Sequence, residues 1–187
     1  MSYKGFLISP QEFKKRFLQH YADSVKDFSK KGDKKAWTTF MIGNGASREK
    51  GDFGILGRCA QGEYRVSAEE LRVDQTWWRF KTGIENRDYS DEWQYFVAIE
   101  NENEPDRIIF TLSKLRHLNI PLKVVVSYPK KKDIPSLERK INEIIASDCT
   151  DADRNTYLFA FGPYDWNIQG VGQWQFYTHN LIERNPT

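Results

Sequence analysis

Long apolar runs are missing from this sequence. Stretches such as Leu158–Phe161 and Val124–Val126 fall far below the ~18 residues of a membrane span, so no transmembrane segment is expected. Cysteine is scarce: Cys59 and Cys149 stand apart, with no CxxC and no Cys/His pair at zinc spacing. A disulfide framework and a structural zinc are therefore not expected, and a reducing cytoplasm is the predicted location. The first ten residues carry one positive charge and few apolar side chains before Pro10, unlike a secretory signal. Three histidines, His20, His117 and His179, compose no triad, and Gly43-Asn44-Gly45-Ala46-Ser47 lacks both the Gly-Lys-Ser/Thr ending of a phosphate loop and the third glycine of a dinucleotide fingerprint. No internal repeat, low-complexity stretch or linker interrupts the 187 residues, which suit one domain at ~150 residues per domain.

Aromatic residues, in contrast, are plentiful, with 12 Phe, 9 Tyr and 6 Trp to build a core. Charge is balanced in total, 28 basic against 26 acidic side chains, yet unevenly spread: residues 1–50 carry a net +6, residues 51–106 a net −7 and residues 107–187 a net +3. An acidic middle between basic flanks fits either an uneven solvated surface or a carboxylate cluster beside a surface for a polyanion.

Ser9-Pro10-Gln11-Glu12 is a capping box with Pro at the first helical position, and apolar residues from Phe13 to Phe28 follow at helical spacing, predicting a helix over about 10–30. Lys30-Lys31-Gly32-Asp33 reads as its stop. Glycines interrupting short apolar runs predict short strands with tight turns over 32–63. Residues 64–67, 73–80 and 93–100 read as three strands of an antiparallel meander, 107–119 as a helix, 122–128 as a strand buried on both faces, and 156–161 as a further strand. A helix starting at Pro135-Ser136 precedes that last strand, and Trp174–Tyr177 suggests an edge strand. The succession 93–100, 107–119, 122–128 is a βαβ crossover, which makes its two strands parallel. The expected fold is thus α/β, a central mixed sheet of antiparallel meander plus βαβ crossover flanked by helices.

The segment Phe96-Val97-Ala98-Ile99-Glu100-Asn101-Glu102 runs an apolar strand into two carboxylates on one sheet face, at the strand end where open α/β sheets build their sites. Two acids so placed raise each other's pKa unless a cation neutralises them, and their hard oxygens suit Mg²⁺ or Mn²⁺; otherwise they are exposed charges opening a loop. Asp74, in the neighbouring strand of the hairpin, needs a partner: the same cation, or Arg72, Arg79 or Lys123.

These residues resemble the PD-(D/E)XK nuclease superfamily, with its restriction-endonuclease-like fold. The order of elements from the first helix through strand 122–128 carries the likeness over about the first two-thirds of the chain. The resemblance matches Asp74 to the first acid and Glu100 to the D/E of the D/E-x-K, while the lysine position holds Glu102. It implies metal-dependent hydrolysis of phosphodiester bonds, in DNA more than RNA, with Asp74, Glu100 and Glu102 as metal and catalytic residues. Lysine would then arrive from elsewhere: Lys123, in the buried strand, is the favoured candidate, ahead of Lys114 on the crossover helix, which sits at the border of the apolar face. Glu12 is already explained by its capping role. Lys14, Lys15, Lys130, Lys131 and Lys132 are the predicted phosphate contacts, and Trp77, Trp78 and Trp166 are either stacking platforms or core. A homodimer would suit a double-strand cutter. The alternative is a non-catalytic member of the same fold that binds nucleic acid or protein.

Overall fold

The computed structural model describes residues 7–28, 33–80, 93–147, 156–164 and 174–180. Helix α1 (Pro10–Val25) begins as its capping box dictates: Ser9 Oγ accepts from the Glu12 N–H at 3.1 Å. It buries Phe13, Phe17 and Tyr21. The helix stops about five residues before the expected end, because the N–H groups of Asp27 and Phe28 turn back to Ser24 and Val25 in tighter i to i+3 bonds. The predicted stop at residues 30–32 lies outside the described residues.

The expected strands over 32–63 do not form. Three helices replace them: α2 (Lys34–Ile42), α3 (Gly45–Glu49) and α4 (Gly54–Arg58). Asp33 caps α2 by accepting from the Ala36 N–H at 3.0 Å, and Trp37, Met41 and Ile42 bury one side of it. The glycines serve these helices. Gly43, at φ 73°, ends α2, and Gly54, at φ 68°, opens α4 where an added Cβ would lie 2.6 Å from the Met41 carbonyl carbon. Close backbone approach between helices is what Gly54 provides, while Gly45, Gly51 and Gly62 have open space around them.

Beyond them runs one six-stranded mixed sheet in sequential order: β1 (Arg65–Ala68), β2 (Gln75–Phe80), β3 (Trp93–Glu102), β4 (Leu122–Ser127), β5 (Thr156–Phe161) and β6 (Gln175–Asn180). β1–β2–β3 is the expected antiparallel meander. β3, β4 and β5 are parallel, connected through α5 (Ile108–Leu115) and α6 (Ile134–Ser147), and β6 returns antiparallel as the far edge. α5 is shorter than expected: it follows a 3₁₀ turn at Pro105–Arg107 and ends at Leu115, where the Leu118 N–H turns back to the Leu115 carbonyl at 3.0 Å. β3 instead runs two residues further, through Glu102, where Ser127 Oγ donates to the Glu102 carbonyl at 2.7 Å.

Each sheet face has its own apolar layer. α1, α2 and α4 cover Trp77, Val97, Ile99, Val124, Val126 and Leu158. α5 and α6 cover Ala98, Val125, Phe159 and Phe161 from the other side. The alternation along β3 therefore sends Glu100 and Glu102 toward the α5 side, with Ala98. Among the described residues, no helix is long and apolar enough to cross a membrane.

Candidate active site

The acidic residues gather where β2 begins and β3 ends. Antiparallel pairing of Gln75 with Ile99 carries Asp74, just before β2, to the level of Glu100 and Asn101. Asp74 Oδ2 accepts from the Asn101 N–H at 2.7 Å. Gln75 turns to the other face, where its Nε2 donates to the carbonyls of Ile42 and Phe53, so strand alternation puts Asp74 on the Glu100 side. Glu100 is only 5% exposed. Burial first, then the charge of Asp74, pushes its carboxyl up to about 7 against the opposing hydrogen bond and charge of Lys114. Asp74 is raised as well, chiefly by burial, while the Asn101 N–H and the charges of Lys114 and Arg48 hold it down.

The lysine at this centre is Lys114. α5 buries Ile108, Thr111, Leu112 and Leu115 against the sheet, and Lys114 lies at the margin of that stripe, one-third exposed. From there its ammonium forms an ion pair with Glu100 Oε1 and donates to the Arg72 carbonyl at 3.2 Å. Arg72 belongs to the connection before Asp74, where Glu69, Leu71 and Arg72 all have left-handed backbones, at φ 58°, 55° and 61°. Several bonds hold this connection. Glu69 N–H donates to the Asp74 carbonyl at 3.2 Å, Arg48 donates to Glu69 Oε1 at 2.9 Å, and Glu70 accepts from Thr76 Oγ1 at 3.0 Å and from the Tyr95 hydroxyl at 2.7 Å. Arg48, on α3, also donates to the Ile42 carbonyl at 3.2 Å, tying the ends of α2 and α3 to the same corner.

The other expected site residues are placed differently. Glu102 shares the Glu100 face, but its carboxylate accepts from the Glu104 N–H at 2.9 Å and from Thr111 Oγ1 at 3.1 Å, joining the end of β3 to α5. Lys123 is fully buried and pairs across the sheet with Ala98, two residues before Glu100; its Nζ donates to the Tyr157 hydroxyl at 3.4 Å. Among the described residues, no group of three or more His, Cys, Asp and Glu side chains is arranged to hold a metal ion.

Compared with family models, curated proteins and solved structures, the chain matches none.

Lys14, Lys15, Lys130, Lys131 and Lys132 are exposed. Lys14 lies 5.0 Å over the Phe176 ring and Lys130 5.0 Å over that of Tyr164, while Lys15 pairs loosely with Glu12 at 3.9 Å. Trp77 is core, stacked on Phe13 at 5.3 Å. Half-buried Trp78 stacks on Trp93 at 4.5 Å, and Trp166 lies outside the described residues. Arg48 and Glu70 escaped the sequence reading altogether. The signal for Lys114 was its place on the crossover helix beside the apolar stripe.

Proposed function

We propose that this chain is a divalent-metal-dependent nuclease hydrolysing phosphodiester bonds, in DNA more than in RNA, with the restriction-endonuclease-like arrangement of its catalytic elements. One observation carries the reading: Asp74 and Glu100 lie together at the end of the sheet, and Lys114 reaches Glu100 from the crossover helix. Lys114 thereby supplies in space the cation that the D/E-x-K pattern lacks in sequence.

The donor chemistry fits Mg²⁺ or Mn²⁺. Two hard carboxylates, both raised in pKa by burial, are what a divalent cation stabilises in ionised form. Magnesium is commonly held by one or two carboxylates, with water and substrate phosphate completing its shell, so Glu102 is not needed as a ligand. When bound, the ion neutralises charge on the scissile phosphate and lowers the pKa of a water molecule. Asp74 and Glu100 would hold it, and Lys114, turning from Glu100, would orient the attacking water beside the phosphate. Glu102 keeps the start of α5, and hence Lys114, in register with β3. Lys123 belongs to the sheet interior and is given no catalytic role.

The test is cleavage of single- and double-stranded DNA with Mn²⁺ by the parent, Glu100→Gln and Lys114→Ala proteins. Activity in the parent and its loss in both variants is the expected result. DNA binding without cleavage in the parent would favour the alternative, a non-catalytic nucleic-acid-binding member of the fold.

A further inference from the structure

Beyond the end of β3, next to the candidate site, the same end of the sheet opens into a recess. A cavity of about 330 Å³ is lined by Lys34, Asn103, Glu104, Asp106 and Arg107 and, on its aromatic side, by Tyr128 and Tyr164. It straddles the sheet: Lys34 starts α2 on one side, Arg107 precedes α5 on the other, and Tyr128 follows β4. Its wall begins where Glu104 donates its N–H to Glu102, two residues after β3. We propose that this recess binds an unpaired nucleobase of the nucleic-acid strand, stacked on Tyr164. The proposal rests on the nuclease reading for the identity of the strand and deepens it by naming an unpaired nucleotide as part of the substrate.

Four features point to a base rather than to an isolated phosphate. The charges lining the recess cancel, Lys34 and Arg107 against Glu104 and Asp106, which suits a neutral planar group. Lys34 and Arg107 lean on the one carboxylate of Glu104, at 3.1 and 3.8 Å, and all three are about half exposed, so they exchange readily with solvent. Tyr164 is 43% exposed, one of two exposed aromatic rings among the described residues, the other being Phe110, and the Lys130 ammonium lies 5.0 Å from its centroid. An electron-rich ring beside a cation can stack a base while the cation meets the adjoining phosphate. Finally, Asn103 donates through Nδ2 to Thr38 Oγ1 at 2.8 Å, while its buried Oδ1 has no donor among the described residues. A base amine entering the recess would supply one with a small rotation of the amide.

The experiment uses the whole chain, without divalent metal, and a single-stranded deoxyoligonucleotide containing the fluorescent base 2-aminopurine. Binding should quench the probe by stacking. Tyr164→Ala should weaken affinity at least ~5-fold, and Tyr164→Phe, which keeps the ring, should restore it. A blunt duplex without unpaired bases should bind with no dependence on Tyr164. Mn²⁺-induced thermal stabilisation of Tyr164→Ala, measured in parallel, should equal that of the parent. Equal affinities of parent and Tyr164→Ala, or binding without quenching, would overturn the base recess even where the Mn²⁺ response stands. Absence of oligonucleotide binding by the parent at low salt would also overturn it. Loss of the Mn²⁺ response in the parent, with quenching and Tyr164 dependence retained, would overturn the nuclease reading and leave the recess supported. Should Tyr164→Ala fail to fold, quenching retained in Tyr164→Phe and lost in Tyr164→Leu supports the recess, and equal quenching in both overturns it.

Discussion

Glu100 is the residue whose ionisation the fold most opposes. In an unfolded chain a glutamate titrates at about 4.3, whereas Glu100 in the folded protein titrates at about 7. The folded state therefore binds more protons between these values, and stability falls as pH rises through that window, by an amount on the order of 3 kcal/mol. Glu100→Gln should match the parent near pH 4 and melt several degrees higher than it at pH 8, in thermal melts without metal. It should also lose the stabilisation that Mn²⁺ gives the parent by mass action. A lower melting point for Glu100→Gln at pH 8 would mean that the Lys114 ion pair outweighs burial and the Asp74 charge. Lys114→Ala should raise the Glu100 pKa further, read by NMR titration of the side-chain carboxyl, because the opposing cation is removed. Glu102→Gln should retain the Mn²⁺ response at a cost of about 1 kcal/mol in stability, since Gln accepts only through one oxygen where Glu102 serves both Glu104 and Thr111. Asp74 and Glu100 were legible because strand period and hairpin adjacency are local properties of the chain. The lysine was not. Which margin of a helix meets a carboxylate depends on the rotation of that helix about its axis, set by how Leu112 and Leu115 seat on the sheet. Lys123 was favoured for its place in a buried strand; register with Ala98 sets it two residues short of Glu100, and its ammonium donates to the Tyr157 hydroxyl.

Among the elements, α2 to α4 show most clearly how glycine can be misread. A run of glycines between apolar tetrads resembles strands and turns when only local chemistry is weighed. Here Asp33 caps α2, and Gly43 and Gly54 allow its end to meet the start of α4. Gly54→Ala should therefore cost at least ~2 kcal/mol, from the left-handed backbone and the clash with the Met41 carbonyl carbon. Gly45→Ala, with nothing within 4 Å of the added Cβ, should leave stability unchanged or raise it by up to about 1 kcal/mol. Urea unfolding midpoints of the two variants provide the comparison. The strands were read nearly in full, because β3 and β4 are buried on both faces and carry the continuous apolar pattern of such strands. Only their ends moved, by one to three residues, where side chains such as Ser127 extend the pairing.

At the scale of the whole molecule, basic flanks surround the acidic centre in sequence, and exposed lysines carry that charge. Affinity for DNA should fall linearly with salt on logarithmic axes, by about 0.9 in slope for each phosphate met, and Lys130→Glu should reduce the slope by about 1 on every sequence alike. Filter binding across a salt series measures this. Affinity unchanged between low and physiological salt would place recognition outside the lysines. The strand order has a different consequence, which concerns the birth of the chain. Each strand pairs with its neighbour in sequence, so the sheet can grow as synthesis proceeds. The first helix completes its packing only late: Phe17 packs at 4.7 Å on Trp174 and at 6.0 Å on Phe176. On the ribosome, α1 emerges ahead of the sheet; Phe13 can meet Trp77 early, but Phe17 waits for Trp174 and Phe176 until residue 176 has emerged.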